Sequence, residues 1–396
     1  MQTNSNYVLV ETANAFGLAL INLRNATVLS IDSEFSGFYT YYSKVCLIQI
    51  SANGKNYIID PLKISKLDGL SEIFSDKTKV KIFHSCTDDM RIMKKDFGFE
   101  FTNVRDTMIG SRVLGMESNS LAHVVEYYKK IKLDKEQQKS NWEKRPLEKK
   151  QLLYAAYDTC FLEEIWNKME KELQDRNLFE EAMSEFLWAE NSDHSTKEKE
   201  GEGFHLDKFP NILTYSPRER KRIYEILKLR DEKAKKINKA PFRLLANDKI
   251  IKLASTDFNE EKYLQEFGHK DGTNLFQLLS NTTEEITDDD LRRDITDQLD
   301  DKENKIFQKL KAWREAIKNY RKMDHTMVPT NKILVSILKS GPKTLEELQS
   351  LNLFSEWKVQ NYGPGILACL RGENYESFFK SLPQVDSKRK KVNLAK

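Results

Sequence analysis

Four short runs near the N-terminus, ATVLSID, KVCLIQIS, NYIID and VKIFHS, are rich in Val, Ile and Tyr and bounded by Gly, Asn, Asp or Ser. That is the pattern of strands closed by turns. Between and after them the apolar positions move to helical spacing. The pattern predicts helices over Asp88–Phe97, Asp106–Leu114 and Leu121–Lys130. A longer helical pattern runs from Pro146 to Gln174, with Pro146 suited to a first turn. This mixture predicts an α/β domain with a central sheet.

The pattern then changes. The segment ENSDHSTKEKEGEG is polar, charged and Gly-containing, as a linker would be. Beyond it the strand signal fades. PRERKRIYEILKLRDEKAKKINKAPF predicts a helix with Ile223, Ile226 and Leu227 on one side, and NDKIIKLAS a short second one. The same order returns in FQKLKAWREAIKNYRKMDHTMVPTNKILVSILKS: a long basic helix, a loop with Pro, a short apolar helix. The expected organisation is an α/β domain over residues 1–190, a linker over 191–210, two small all-α modules over 211–300 and 303–383, and a disordered basic tail over 384–396.

Length and composition narrow the picture. A chain of 396 residues exceeds what one core usually holds. A net charge of +3 names no partner, so any electropositive face must be local. The four cysteines are scattered and form no CxxC pair, which argues against a zinc site or disulfide framework. No apolar stretch reaches the roughly 18 residues a membrane span needs. The expected location is the cytoplasm.

The chemistry starts at SIDSEF. Side chains of a strand alternate, so Asp32 and Glu34 point the same way at the end of a buried strand. Two desolvated carboxylates repel unless a cation lies between them, and oxygen ligands without sulfur suit Mg²⁺ or Mn²⁺. By itself the pair fits turn residues capping the next segment equally well. A second strand ends in HSCTDD, where Thr87 and Asp88 are N-cap candidates. Asp89, one residue further in, is placed to project over the sheet's end, or to act as a first-turn acid. In LLYAAYDTCFL, Tyr154 and Asp158 are i and i+4 neighbours on an apolar helix. A buried Asp there needs a metal or a partner, and a Tyr–Asp hydrogen bond is the plain alternative.

Together these motifs resemble the DEDD superfamily of 3′→5′ exonucleases, in the subgroup whose third motif is YxxxD. DSEF, TYYSKVCLIQIS, IDPL, FHSCTDDM, VRDTMIGSRVLG and LDKEQQKSNWEKRPLEKKQLLYAAYD, in that order, are similar to the ribonuclease D family. VPTNKILVSILK and LKLRDEKAKKINKAPFRLL resemble its helicase-and-RNase-D C-terminal (HRDC) modules. The resemblance implies a ribonuclease H-like mixed sheet with helices, followed by the two all-α modules. It implies two divalent ions, with Asp32 bridging them, Glu34 and Asp158 completing one and Asp89 holding the other. Tyr154 would orient the attacking water. The implied activity is 3′→5′ exoribonuclease trimming of structured RNA such as tRNA precursors, releasing nucleoside 5′-monophosphates. A DNA exonuclease of the same superfamily and a catalytically idle RNA-binding platform remain as alternatives, the second disfavoured because all four acids are present.

Candidate RNA contacts lie elsewhere. Between Arg218 and Lys239 ten basic residues face four acids. Arg218, Arg222, Lys235 and Lys236 are candidates for phosphate contact there, against the alternative of a solvated helix face. In TYYSK, Tyr41 and Tyr42 either pack in the core or stack on a terminal base, and alternation allows only one of them to reach it. His84 is expected to satisfy a backbone group rather than a metal.

Overall fold

The computed structural model describes residues 7–192, 206–291, 299–323, 325–380 and 382–384. Much of the expected linker, part of the acidic stretch between the helical modules and the basic tail lie outside the described residues. By contacts the chain forms two compact units. One comprises the segments up to Glu34, from Val45 to the end of the α/β region, and from Leu299 onward; the other joins Phe35–Lys44 to the first helical region.

The first unit holds a six-stranded sheet of β1 (Tyr7–Val10), β2 (Val28–Phe35), β3 (Val45–Ala52), β4 (Lys55–Ile59), β5 (Val80–Phe83) and β6 (Val104–Asp106). Its order is β1-β4-β3-β2-β5-β6. β3 and β4 are antiparallel, while β1–β4, β2–β5 and β5–β6 are parallel, so the sheet is mixed as expected. β2, which carries Asp32 and Glu34, is central. Next to it Val45, Cys46, Leu47, Ile48 and Ile50 are all buried, as a strand covered on both faces requires. β1 and β6 span only four and three residues. Runs that short carry little periodicity, and their partners lie far away in sequence, so the pattern missed them.

Among the described residues eight helices accompany this sheet: α1 (Ala13–Arg24), α2 (Asp68–Ser75), α3 (Cys86–Phe97), α4 (Thr107–Val113), α5 (Leu121–Lys129), α6 (Lys149–Cys160), α7 (Leu162–Asp175) and α8 (Phe179–Asn191). Two expectations need correction. α3 begins at Cys86, so Thr87 and Asp88 lie in its first turn and are not its cap. Asp106 caps the helix from outside, accepting from the backbone amides of Ser85 (3.1 Å) and Cys86 (2.7 Å). The same carboxylate caps α4 through the amides of Met108 and Ile109. Asp88 faces outward and pairs with Arg91 at 3.1 Å. The long pattern from Pro146 is also two helices. Pro146 follows a cis peptide before the first turn, α6 opens where the Glu148 amide donates to the Gln151 side chain (2.9 Å), and a new helix starts at Leu162.

The second unit contains α9 (Pro217–Lys236), α10 (Pro241–Leu244), α11 (Asn247–Ala254), α12 (Glu260–Phe267), α13 (His269–Asn281) and the single turn α14 (Asp288–Leu291). Ile223, Ile226 and Leu227 lie in its core, as the spacing predicts. The C-terminal module of the first unit contains α15 (Asp301–Arg321), α16 (Asn331–Ser340), α17 (Leu345–Ser350) and α18 (Glu356–Arg371). The two modules share internal devices. α9 and α15 each open on a capping box, Ser216 with Glu219 and Asp300 with Glu303. Each long helix then carries an arginine that clips the start of the short apolar helix. Arg230 donates to the Leu245 carbonyl and Asn247 side chain, 15 and 17 residues away. Arg314 donates to the Pro329 carbonyl and Asn331 side chain at the same separations of 15 and 17. Among the described residues no helix is long and apolar enough to cross a membrane.

Candidate active site

Three elements place the four acids. Asp32 and Glu34 leave β2 on one side, half-buried. α6 lays an apolar side on the sheet, where Leu152, Ala155 and Ala156 pack with Cys46, Leu47 and Ile58. That seating buries Asp158 at 8% exposure and turns it toward the β2 pair. Asp32, Glu34 and Asp158 each bring a carboxylate oxygen within 4.8 Å of the others. Asp89, in the first turn of α3, is buried and accepts a hydrogen bond from Ser33 Oγ at 2.5 Å. The charge of Asp32 acts on it, and its own charge acts on Glu34 and Asp158, so it stands beside the trio.

The electrostatics follow from crowding. Burial first, and then the charge of Asp158, pushes Asp32 well above the usual carboxylate range. Glu34 is raised by burial and by Asp32, Asp158 and Asp89 in turn. Asp89 is raised by burial and by Asp32, against the opposing hydrogen bond from Ser33. Asp158 is pushed up to about 8 by burial and by Asp89, although the Tyr154 phenol donates to it and opposes the rise. The Tyr154 phenol itself is raised by burial and then by Asp158, Glu34 and Asp32, so it keeps its proton at neutral pH. Four acids, two half-buried on β2 and two buried on α3 and α6, with no lysine or arginine paired to them among the described residues, are satisfied only by protons or by a cation. The donor set is all oxygen, as a hard divalent ion prefers.

Several supporting residues escape sequence reasoning. Ser33 lies between the two β2 acids and orients Asp89. Arg145 grips the buried Asp60 at the end of β4 through two bonds, 2.6 and 2.9 Å. It also donates to the Trp142 carbonyl (2.6 Å) and the Cys46 carbonyl (2.9 Å), tying the segment before α6 to β3 and β4. The Trp142 ring packs against Tyr154 with centroids 6.0 Å apart. An Arg before a Pro and an Asp closing an apolar run are the only local signals, and neither names its partner. His84 bonds Thr107 Oγ1 at 2.9 Å and the Asn119 backbone, and burial lowers its pKa.

The other candidates divide. Tyr41 donates to Asp231 at 3.1 Å, while the Tyr42 ring remains exposed. Arg222 is engaged inside its own module, over the Phe258 ring at 3.4 Å and with the Ala254 carbonyl at 2.9 Å. Arg218, Lys235 and Lys236 are exposed.

Known proteins carry related segments. Residues 7–174 match the model of a 3′-5′ exonuclease family, and residues 303–370 match the model of the HRDC domain. The exosome complex exonuclease RRP6 of Saccharomyces cerevisiae is 32% identical over 171 residues, covering 43% of this chain and 23% of that protein. The chain thus spans about a quarter of that relative's length. Ribonuclease D of Haemophilus influenzae is 28% identical over 288 residues, covering 70% of this chain and 71% of that one. The crystal structure of Escherichia coli RNase D superposes with a TM-score of 0.62 at 19% identity, covering 93% of this chain and 99% of that one, a likeness of fold. Asp32, Glu34, Asp89 and Asp158 therefore lie within the segment that matches the 3′-5′ exonuclease family, and α15 to α18 lie in the region that matches the HRDC domain.

Proposed function

We propose that the protein is a divalent-metal-dependent 3′→5′ exoribonuclease of ribonuclease D type. The observation that carries this reading is the gathering of Asp32, Glu34 and Asp158 within 4.8 Å of one another from β2 and α6, with Asp89 beside them. Their mutual repulsion and their oxygen-only chemistry fit two Mg²⁺ or Mn²⁺ ions held by Asp32, Glu34, Asp89 and Asp158. Such ions, when bound, lower the pKa of water and neutralise charge on the attacking and leaving oxygens of a phosphoryl displacement.

The chain's own residues do the rest. Tyr154 acts as a hydrogen-bond donor and not as a base, because burial and three neighbouring acids keep its phenol protonated. That places it, on the face of α6 it shares with Asp158, to orient the attacking water. Ser33 fixes the Asp89 carboxylate. Trp142, held by Arg145, backs the Tyr154 ring. The new bond joins water oxygen to phosphorus, and the broken bond returns a 3′-hydroxyl to the shortened strand. The product is a nucleoside 5′-monophosphate. The substrate is the 3′ end of structured RNA, such as a tRNA precursor, in the cytoplasm. The shared capping boxes and arginine clips support reading the first helical module as a second HRDC-type module, and the YxxxD spacing of Tyr154 and Asp158 supports the tyrosine subgroup.

The test is a ladder. RNA and DNA oligonucleotides labelled at the 5′ end are incubated with Mn²⁺, with Mg²⁺ and with chelator. Shortening from the 3′ end on RNA alone, abolished by chelation and by Asp32→Asn, is expected. Degradation of DNA with equal efficiency makes the protein a DNA exonuclease. RNA binding without shortening under any metal makes it an idle platform.

A further inference from the structure

The segment Phe35–Lys44 begins with the last residue of β2 and packs within the second unit. Module residues hold it at four points. The Ala240 amide donates to the Tyr39 carbonyl at 3.0 Å, and the Tyr42 amide donates to Asn238 Oδ1 at 3.0 Å. Tyr41 donates to Asp231 at 3.1 Å, and Arg243 Nε donates to the Phe38 carbonyl at 2.8 Å. The Arg243 guanidinium also lies over the Tyr39 ring at 3.7 Å and near the Phe38 ring at 4.8 Å. The Phe38 ring meets the Phe242 ring with centroids 5.1 Å apart.

This packing leaves aromatic surface in water. Phe38 is 38% exposed, Tyr42 45% and Phe242 45%. Burying these rings would be favourable, and α10 and the loop instead hold them outward around an exposed arginine. Lys235, Lys236 and Lys239, in the segment leading to α10, are exposed as well. Aromatic faces interleaved with cations are what a single-stranded nucleic acid binds: bases stack on the rings, and the phosphates gain from the basic groups. One hydrogen bond and the stacking of Arg243 shape the site. Its Nε is spent on the loop and its plane rests on Tyr39, which leaves the outer edge of the guanidinium to face a phosphate. Three residues, Phe35 to Gly37, separate Phe38 from Glu34 along the chain, and a fully extended backbone over that stretch spans at most about 14 Å.

We infer that Phe242, Tyr42 and Phe38, with Arg243 between them, form a stacking surface for the bases of the single-stranded segment that leads to the scissile 3′ end. The inference rests on the nuclease reading for its direction along the strand, and it moves base contact from Tyr41, whose hydroxyl holds the loop, to rings on two segments. Sequence reasoning reached Tyr42 but not Phe242 or Arg243, more than 190 residues away.

The experiment measures binding of two labelled RNAs to full-length protein carrying Asp32→Asn, one with a single-stranded 3′ tail of ten adenosines and one a blunt duplex. Adding Phe242→Ala is expected to weaken the tailed RNA about tenfold or more, since each stacked base contributes about 1–3 kcal/mol. Duplex affinity and the salt slope should stay put. Phe242→Tyr should retain tail binding, and Arg243→Ala should lower the salt slope. Equal affinity of Phe242→Ala for the tail overturns the inference, as does an equal loss on both RNAs or a concentration-dependent dimer that disappears with the ring, which would assign the patch to a second copy. Wild-type protein run in parallel separates the two readings. Absent metal-dependent hydrolysis sinks the nuclease and leaves the tail binding to be judged by its own result.

Discussion

The two helical modules begin alike and end differently. Both open on a capping box, and both use an arginine on the long helix to clip the following short one. Their outer contacts diverge. The C-terminal module is joined to α8 by a buried ion pair in which Arg321 grips Glu181 with two bonds (2.9 and 2.6 Å) and also donates to the Tyr362 hydroxyl at 2.7 Å. Lys358 adds a second pair with Glu185 at 2.7 Å. The first module spends the corresponding effort on the loop after Glu34, through backbone amides, one phenol and Arg243. The repeated devices are local and build each module. The divergent ones are long-range: one fastens the C-terminal module to α8, the other holds and presents a loop.

That contrast is sharpest at Arg321. Its guanidinium and Glu181 are both buried, so removing one partner strands a charge. Arg321→Ala is expected to destabilise the first unit by about 3–5 kcal/mol. Calorimetry should show that transition falling while the transition of the second unit stays in place. Replacing both residues by apolar ones of similar size should recover most of the loss, since an ion pair removed whole leaves no orphan. If Arg321→Ala lowers both transitions equally, the modules are not fastened differently.

The acids give the next effect, again confined to the first unit. All four hold their protons more tightly folded than unfolded. Their contribution to stability in metal-free protein is therefore whole below about pH 4, where unfolded carboxyls titrate. It is lost as pH rises toward about 8, where Asp158 ionises. Mn²⁺ should raise the melting temperature of the first unit, more at pH 8 than at pH 6, because the ligands must lose protons to bind it. A metal effect that is flat with pH contradicts the electrostatics described for the cluster.

The clips test the likeness of the modules. Arg230→Ala and Arg314→Ala each remove two hydrogen bonds from a charged donor and should cost a similar amount, about 1.5–3 kcal/mol, each in its own unit. Unequal costs would mean that the shared geometry hides different roles. The smallest effect belongs to the loop. Tyr41→Phe removes one half-exposed hydrogen bond to Asp231, and a loss of about 0.5–1.5 kcal/mol should appear as faster amide exchange in residues 36–44 alone.

The sequence located the acidic cluster better than the scaffold. Asp32, Glu34, Asp89 and Asp158 were legible because each follows a strong local pattern, a strand end or an apolar helix, and because their order resembles a known family. The strands β2 to β5 were legible for the same reason. What stayed hidden is long-range. β1 finds its partner in β4 and β6 in β5. Asp106 caps a helix twenty residues before it in sequence. Arg145 is set by Asp60, 85 residues away. None of these pairings leaves a periodic trace, and the basic run of α9 shows the converse. It reads as one charged face, yet Arg220, Arg222 and Arg230 turn into the module to bind carbonyls.

The most direct test of the central claim is calorimetric titration of Mn²⁺ into metal-free protein, wild type beside Asp32→Asn. Mn²⁺ should bind the wild type with proton release near pH 7, and the variant should lose the binding of at least one ion. Identical binding curves for the two proteins would contradict that claim.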